Sequence, residues 1–441
     1  MSGVFRAYDI RGTYPNEINE ELAEKIGRAF VDFLGCREVV VGRDMRKSSD
    51  SLFEALAKGI MKAGANVIDI GPSSTPLFYY TVRDKEAGIM ITASHNPAEY
   101  NGFKLVRENC IPISGDTGIE EIEKLVGAGR DLLSKEQKGK ITRQSVLGNY
   151  LNYFDKFVSK NMKPLRVVVD GGNGMGGLTY PGLFKKLPAK LIPLYLEMDG
   201  SFPNHEADPL KLENVEDLQK KVVDEKADLG VALDGDCDRC MLIDERGGYI
   251  SGDLVTALIA QYLLNKNPSR TVIYDPRSSW VTKETILEAS GKPKACPVGH
   301  SFFKERMKRF NALFAGELSG HFYYRDTFNA ESSILTMIII LNILSETGKT
   351  LSELIKPFRK YFASGEINSD VKDKDGKMEE LAKIYGDGKV SRLDGLKVEF
   401  SDWWFNVRPS NTEPLLRLNL EAKTKEMMEK GRDEILKIIR D

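Results

Sequence analysis

The same succession of segments occurs three times before Ser364, and few architectures accommodate such a repeat. A β-branched strand runs into a polar loop at EVVVGRD (Glu38 to Asp44), LRVVVDGGN (Leu165 to Asn173) and TVIYDPR (Thr271 to Arg277). A helical stretch follows each, then a second strand, at NVIDIG from Asn66, KLIPLYL from Lys190 and the weaker PKACPVG from Pro293. A third short apolar strand then ends in a polar motif: GIMITASHNP, LGVALDGDCDR and ALFAGELSGH. This order reads as three βαβαβ units, parallel strands covered by helices. From Ser364 the pattern changes to a charged linker, KDKDGK, a helical run, the strand stretches LKVEFSDWWFNVRPS and LLRLNLEAK, and a polar-apolar helix to the end. The expectation is three related α/β domains with mixed, mainly parallel sheets, spanning 1–148, 149–250 and 251–363. A smaller α+β domain, 364–441, closes over them.

The chain has 441 residues, too many for one ordinary domain. With 63 Lys and Arg against 65 Asp and Glu, nothing argues for wholesale attraction to nucleic acid or to an anionic membrane, so any anion recognition must be local. The N-terminal stretch MSGVFRAYDIRG lacks an apolar signal core, and the five cysteines are an odd, scattered set. Both favour free thiols in a reducing cytoplasm. The longest apolar run, Ile334 to Leu344, is too short to span a bilayer and is broken by Thr336 and Asn342, so it reads as a buried helix.

In open α/β sheets ligands bind beyond the carboxyl ends of the strands, where all three polar motifs lie. If the units pack around a common centre, the motifs face one cleft. ITASHNPAEYNGFK, Ile91 to Lys104, is built of turn formers, and it also fits an exposed nucleophilic or phosphate-carrying serine at a strand end. Asp234, Asp236 and Asp238 alternate directly after an apolar strand, and three clustered anions repel unless something neutralises them. Hard oxygen ligands with no histidine beside them suit Mg²⁺ rather than Zn²⁺. Cys237 and Cys240 form a C-x-x-C with no second pair.

Glu317, Ser319 and His321 in GELSGH form a polar array suited to sugar hydroxyls, or equally a strand-end turn. Arg408-Pro-Ser-Asn-Thr-Glu-Pro414 holds the parts of a phosphate cradle, and also those of a proline-bracketed hairpin. Gly172 to Gly177 matches G-x-G-x-x-G, with Glu197 where a ribose-binding acid would fall. Against a dinucleotide, Pro181 and Gly182 interrupt the expected helix and the other two units lack such glycines. Arg6, Tyr8 and Arg11 in FRAYDIRG and His300 in GHSFFKERM are candidates only in company with the other motifs.

Taken together, FRAYDIRG, TASHNPAEYNGFK, DGDCDR, GELSGH and RPSNTEP, in that order over the whole chain, resemble the α-D-phosphohexomutase family, in its phosphomannomutase/phosphoglucomutase branch. The resemblance implies four domains around a deep cleft and an enzyme that interconverts hexose 1-phosphate and hexose 6-phosphate. It makes Ser94 the phosphoryl carrier. Mg²⁺ would be held by Asp234, Asp236, Asp238 and a phosphoryl oxygen on Ser94, and hexose 1,6-bisphosphate would be the intermediate and activator. Lys104, Arg11 and His321 would share the proton transfers, while His95 and Arg239 support the phosphoryl group. Glu317, Ser319, His300 and Tyr8 would contact the sugar, and Arg408, Ser410, Asn411 and Thr412 its phosphate. The expected partners are small hexose phosphates, not nucleic acid or membrane, for a monomer or small homo-oligomer.

Two departures stand out. Asn329-Ala330-Glu331 occupies the place where family members often show an Asp-Gly pair, which bears on packing in the third domain. RPSNTEP differs from the RPSGTEP typical of phosphoglucosamine mutases, which favours hexose over hexosamine phosphates. No motif addresses the sugar's C2, so both mannose and glucose are expected. A phosphoglucosamine mutase, a metal-dependent sugar phosphatase, a non-catalytic sugar-phosphate sensor and a nicotinamide oxidoreductase are the competing readings.

Overall fold

Three successive sheets repeat one strand order, the second strand beside the first and the first beside the third. The computed structural model describes residues 3–128, 138–410 and 415–441. In the first unit Glu38–Arg43 lies between Asn66–Pro72 and Ala87–Ile91, parallel to both. Arg166–Asp170 lies likewise between Lys190–Leu194 and Leu229–Leu233, and Thr271–Tyr274 between Lys292–Ala295 and Phe314–Gly316. Of the weak PKACPVG stretch only Pro293 to Ala295 are strand, the element beginning one residue earlier and ending before Cys296.

After each third strand the chain turns back through the polar motif into an antiparallel partner: Tyr100–Arg107, Cys240–Ile243 or Phe322–Tyr324. Each sheet is therefore mixed, a parallel core of three strands extended by antiparallel additions, and in the first unit also by the parallel edge strand Ile141–Arg143 beside Asn66–Pro72. A tight return after the third strand leaves the motif at the sheet's carboxyl edge. The three motifs reach one place because the three sheets share one apolar core, running from Val40 and Phe78 through Val169 and Val231 to Ile338 and Leu341.

The run Ile334 to Leu344 lies in the helix Ser333–Thr347, capped by the Ser332 hydroxyl, which accepts from Leu335 N, and closed by Gly348 at φ 68°. It is buried on every side as far as Ser345, each large apolar side chain worth roughly 1.5–3 kcal/mol. Its polar residues all make specific bonds. Asn342 pairs with the backbone of Phe157 and Ser159, and Ser333 Oγ donates to Cys237 O at 2.9 Å, fastening the acidic loop to the core. Among the described residues no single helix is long and apolar enough to cross a membrane.

The fourth sheet is antiparallel throughout, in the order Phe362–Ala363, Leu415–Ala422, Trp403–Pro409, Leu396–Glu399, Lys389–Ser391, with Ile367–Asp370 also on Leu415–Ala422. LKVEFSDWWFNVRPS is two strands, because Phe400 N bonds back to Trp403 O across a turn. The stretch KDKDGK is also more than a linker: Asp373 caps the helix Lys374–Ile384, accepting from Gly376 N. Alternation along the strands assigns the two faces. Phe405, Val407, Leu418 and Leu420 pack under this helix and Lys425–Arg440, while Trp404, Arg408, Asn419 and Glu421 face the other way. That second face meets the third unit, where Trp280 donates to Glu421 Oε1 and to Glu399 Oε1, both at 2.9 Å.

Candidate active site

Ser94 sits three residues past the fully buried strand Ala87–Ile91, at φ 51°, in the left-handed region that non-glycine residues seldom enter. Strain of this kind persists only where the surroundings over-determine it. Here Ser94 N donates to Thr92 Oγ1 at 2.9 Å, and one guanidinium gathers the loop's carbonyls. Arg46 Nη1 donates to Pro97 O and Tyr100 O, and Nη2 to Ser94 O and Asn96 O, at 2.6–3.0 Å. The Arg46 side chain is buried, its charge matched by Asp44 at 3.2 Å. Nothing in the sequence pattern points to Arg46, because its partners are backbone carbonyls; VGRDMRKSSD shows only a charged stretch after a strand.

The Ser94 hydroxyl donates to Asp234 Oδ2 at 2.7 Å and lies 3.2 Å from His95 Nδ1. Asp234, Asp236 and Asp238 are all buried, each with an oxygen within 4.8 Å of the others. A loop curls them together: Cys237 N bonds to Asp234 O, with Cys237 itself at φ 63°. Lys104, buried on the returning strand, donates to Asp236 Oδ2 at 2.7 Å and Asp238 Oδ2 at 2.6 Å. Thr75 Oγ1 donates to Asp236 Oδ2 at 2.5 Å. Burial opposes charging Lys104, but the two aspartates outweigh it and hold the ammonium protonated. Burial, then the charges of Asp238 and Asp236, push the Asp234 carboxyl well above the usual range. Oδ1 of Asp236 is buried without a hydrogen-bond donor, and Oδ1 of Asp238 is buried with only His321 Nε2 near it, at 3.3 Å. Three hard, anionic oxygens with lone pairs to spare fit a divalent cation such as Mg²⁺.

Above this floor lies a cleft of about 280 Å³, lined by Tyr8, Arg11, Ser94, Lys104, Arg239 and His300 among others. A larger cavity, about 630 Å³, runs between Asn109–Thr117 and Ser301–Arg309, away from these carboxylates. Chemistry, not volume, marks the smaller one. Arg11 donates to Asn96 Oδ1 at 2.7 Å and pairs with Asp9. His321 stands between charges, 3.3 Å from both Arg239 Nε and Asp238 Oδ1, with Ser319 Oγ 2.9 Å from its other ring nitrogen. Tyr8 from the first unit reaches the third, donating to Val298 O at 3.2 Å and tilting against the His300 ring.

GELSGH is a tight turn, since Gly320 N returns to Glu317 O and Glu317 N to His321 O. Glu317 is buried and accepts from Tyr323 OH, burial raising its carboxyl above the usual range. Desolvation likewise holds His95 and His300 well below the usual imidazole range.

Trp403–Pro409, which carries Arg408 and Pro409 of RPSNTEP, pairs antiparallel with Leu415–Ala422, and Ser410 N bonds to Leu415 O. Asn411 and Thr412 lie outside the described residues. Arg408 and Ser410 do not line the cleft beside Ser94; Arg408 is bound instead to Glu366 at 3.3 Å. The sites expected from the sequence thus form two groups, one around Ser94 and one on the fourth unit.

The glycine-rich loop finds its reason in packing. A Cβ on Gly174 would lie 2.6 Å from Gly235 O, and one on Gly177 would lie 1.9 Å from Leu196 O. Met175 N donates to Gly235 O, so this loop braces the acidic loop. The helix Gly176–Phe184 contains Pro181: the proline's fixed φ is helical, although its ring forgoes the bond to Gly177 O and crowds that carbonyl.

Models of all four phosphoglucomutase/phosphomannomutase domains match in order: alpha/beta/alpha domain I over residues 2–131, II over 148–248, III over 251–361 and the C-terminal domain over 366–438. The chain belongs to the phosphoglucomutase/phosphomannomutase family. It is 40% identical to a phosphomannomutase of Vibrio cholerae over 99% of this chain and 98% of that one. Identity to a phosphomannomutase of Salmonella montevideo is 38% over 99% and 98%. A phosphoglucomutase/phosphomannomutase family protein from Burkholderia thailandensis superposes with a TM-score of 0.91 at 33% identity, covering 99% of this chain and 96% of that one. Membership makes the chain an enzyme of the phosphohexomutase class, an isomerase. The phosphoglucomutase/phosphomannomutase fold also accounts for the repeat of three units and the distinct fourth.

Proposed function

We propose that this enzyme interconverts hexose 1-phosphate and hexose 6-phosphate, for mannose and glucose alike, through a phosphoserine at Ser94 and a hexose 1,6-bisphosphate. The observation that carries this reading is the Ser94 hydroxyl lying 2.7 Å from Asp234 within a buried carboxylate triad at the floor of a basic cleft. Asp234, Asp236 and Asp238, with an oxygen of phosphorylated Ser94, would hold Mg²⁺. When bound there the ion supplies a Lewis acid that draws charge from the phosphoryl oxygens.

In the forward step a sugar hydroxyl attacks phosphorus, the bond from phosphorus to Ser94 Oγ breaks, and the hydroxyl proton passes to a base. His321, set between Asp238 and Ser319, suits the base. Lys104, held charged by two aspartates, suits delivery of a proton to the seryl oxygen. Arg11, His95 and Arg239 bring the donors and positive charge that a phosphoryl dianion needs. Glu317, Ser319, His300 and Tyr8 would bind ring hydroxyls, and Arg408, Ser410, Asn411 and Thr412 the phosphate already on the sugar. The bisphosphate then turns over, and its other phosphate returns to Ser94.

The test is ³¹P NMR of the protein with Mg²⁺, a trace of hexose 1,6-bisphosphate, and mannose 1-phosphate or glucose 1-phosphate in separate tubes. Replacement of the 1-phosphate resonance by a 6-phosphate resonance in both tubes is the expected result. Inorganic phosphate alone would make the site a phosphatase. No change in either tube would turn attention to a hexosamine phosphate or a sensing role.

A further inference from the structure

Glu366 stands at the meeting point of three arginines from two units. Its Oε2 accepts from Arg277 Nη1 at 3.0 Å, Arg408 Nη2 at 3.3 Å and Asn419 Nδ2 at 3.4 Å, and its Oε1 from Arg417 Nη1 at 3.3 Å. Arg417, on the strand Leu415–Ala422, also reaches Ser410 Oγ at 3.4 Å, so it stands beside Arg408 and Ser410 of the RPSNTEP motif. The third, Arg277, is buried and grips Asp275 through Nε at 2.9 Å. Asp275 Oδ2 in turn accepts from Leu318 N at 3.3 Å, between Glu317 and Ser319. One continuous chain of charge-assisted bonds therefore joins the phosphate hairpin of the fourth unit to the sugar-facing turn of the third.

A carboxylate shared by three guanidinium groups has the charge and planar geometry of the anion such a cluster would otherwise take from solution. We infer that Glu366 is an internal counter-anion, sharing Arg408 and Arg417 with the substrate's phosphate and weakening the cradle's hold so that the bisphosphate can leave it and turn over. This rests on the reading of Arg408 as a phosphate ligand. The reaction requires the hairpin to release one phosphate and accept another in every cycle. Arginines with no counter-charge would bind a dianion tightly in both states, and uniform tight binding adds nothing to turnover. With Glu366 in place the guanidinium groups stay paired when phosphate departs.

The sign of the effect separates this role from a structural one. Glu366→Gln keeps the shape and an acceptor for Asn419 but removes the charge. Inorganic phosphate, titrated calorimetrically into the full chain, should bind Glu366→Gln about tenfold more tightly than wild type. Glu366→Asp, which keeps the charge, should stay within about threefold of wild type. Adding Arg408→Ala to Glu366→Gln should abolish the gain, which assigns it to the hairpin. In turnover, KM for hexose 1-phosphate and kcat should fall together in Glu366→Gln. A merely structural Glu366 would give weaker phosphate binding and a raised KM on substitution. Weaker or unchanged binding in Glu366→Gln, or a gain insensitive to Arg408→Ala, overturns the inference. Phosphate binding is read without turnover, so a failure of the mutase reading leaves the binding test standing.

Discussion

Ser94 and Asp234 are 140 residues apart, yet the serine hydroxyl donates to the aspartate at 2.7 Å. Each lies just beyond the third strand of its own unit, so the bond joins the carboxyl edges of two sheets. Ser94→Ala removes the proposed phosphoryl carrier and one donor but no apolar packing. Turnover should fall by at least about 10³-fold while the Kd for hexose 1-phosphate stays within about threefold. ³¹P NMR for rate and calorimetry for binding check both halves. Turnover surviving in Ser94→Ala would remove the phosphoserine from the mechanism.

Arg46 supports that serine from beneath. Arg46→Ala removes the guanidinium bonds to four carbonyls, of which Pro97 O keeps Tyr100 N as a donor, and leaves Asp44 as an unpaired buried charge, which should cost about 3–5 kcal/mol. Arg46→Lys keeps the charge but cannot fork toward four acceptors. It should fold, and lose about 10- to 100-fold in kcat through a poorly placed Ser94. Denaturant titration and steady-state rates on the two variants separate support of the fold from support of the loop.

The strand exits were legible in the sequence because β-branched runs ending in Ser, Asp or Glu motifs carry their own signal. The returning strands were not. A buried strand such as Cys240–Ile243 has the same apolar run whether its neighbour is parallel or antiparallel. The acidic triad and Ser94 could be paired only through resemblance, since no local pattern relates positions in different units. Arg46 and Glu366 stayed hidden for a different reason. One binds carbonyls, which every residue has, and the other gathers arginines from both sides of a unit boundary. The glycines at 174 and 177 imitated a nucleotide loop because close backbone approach demands glycine whatever is approached.

Gly235 is such an approach. A Cβ there would lie 2.5 Å from Ser94 O, backbone that cannot swing aside. Gly235→Ala should therefore push the Ser94 and Asp234 loops apart, costing about 1–3 kcal/mol in stability. The loss of kcat should exceed what that destabilisation explains at temperatures where the variant remains folded. Comparison of kcat with the unfolding midpoint gives the answer, and equal kcat in variant and wild type would show that the loops tolerate separation.

His205 adjoins the glycine-rich loop at Gly172 and provides a pH test. Its Nε2 lies 3.1 Å from Asp170 Oδ2; burial works against the imidazolium, but the hydrogen bond and charge of Asp170 prevail and raise its pKa. A raised folded-state pKa means stabilisation fully present below the unfolded value of about 6.5 and lost as pH rises through the folded value. Asp170→Asn should thus destabilise more at pH 6 than at pH 9, and should lower the His205 titration. With four histidines in the chain, imidazole NMR can follow each one. An equal loss of stability at both pH values would mean that Asp170 acts only through its bond to Gly172 N.

Glu331 answers the departure at Asn329-Ala330-Glu331. It is wholly buried and pairs with Lys304 Nζ at 2.8 Å, and that ammonium lies 3.4 Å from the centroid of the Tyr79 ring of the first unit. Burial pushes the lysine below its usual range despite the carboxylate. Glu331→Gln would strand this cation in the core and should cost about 3–5 kcal/mol. Lys304→Met should cost a similar amount by stranding the anion. The double substitution Lys304→Met with Glu331→Gln strands neither charge, so its cost should fall short of the sum by about 2 kcal/mol or more. Denaturant midpoints for the four proteins close the cycle, and additive costs would show that the two charges do not interact. Such coupling would mean that an ion pair beneath Tyr79 holds this part of the third unit against the first.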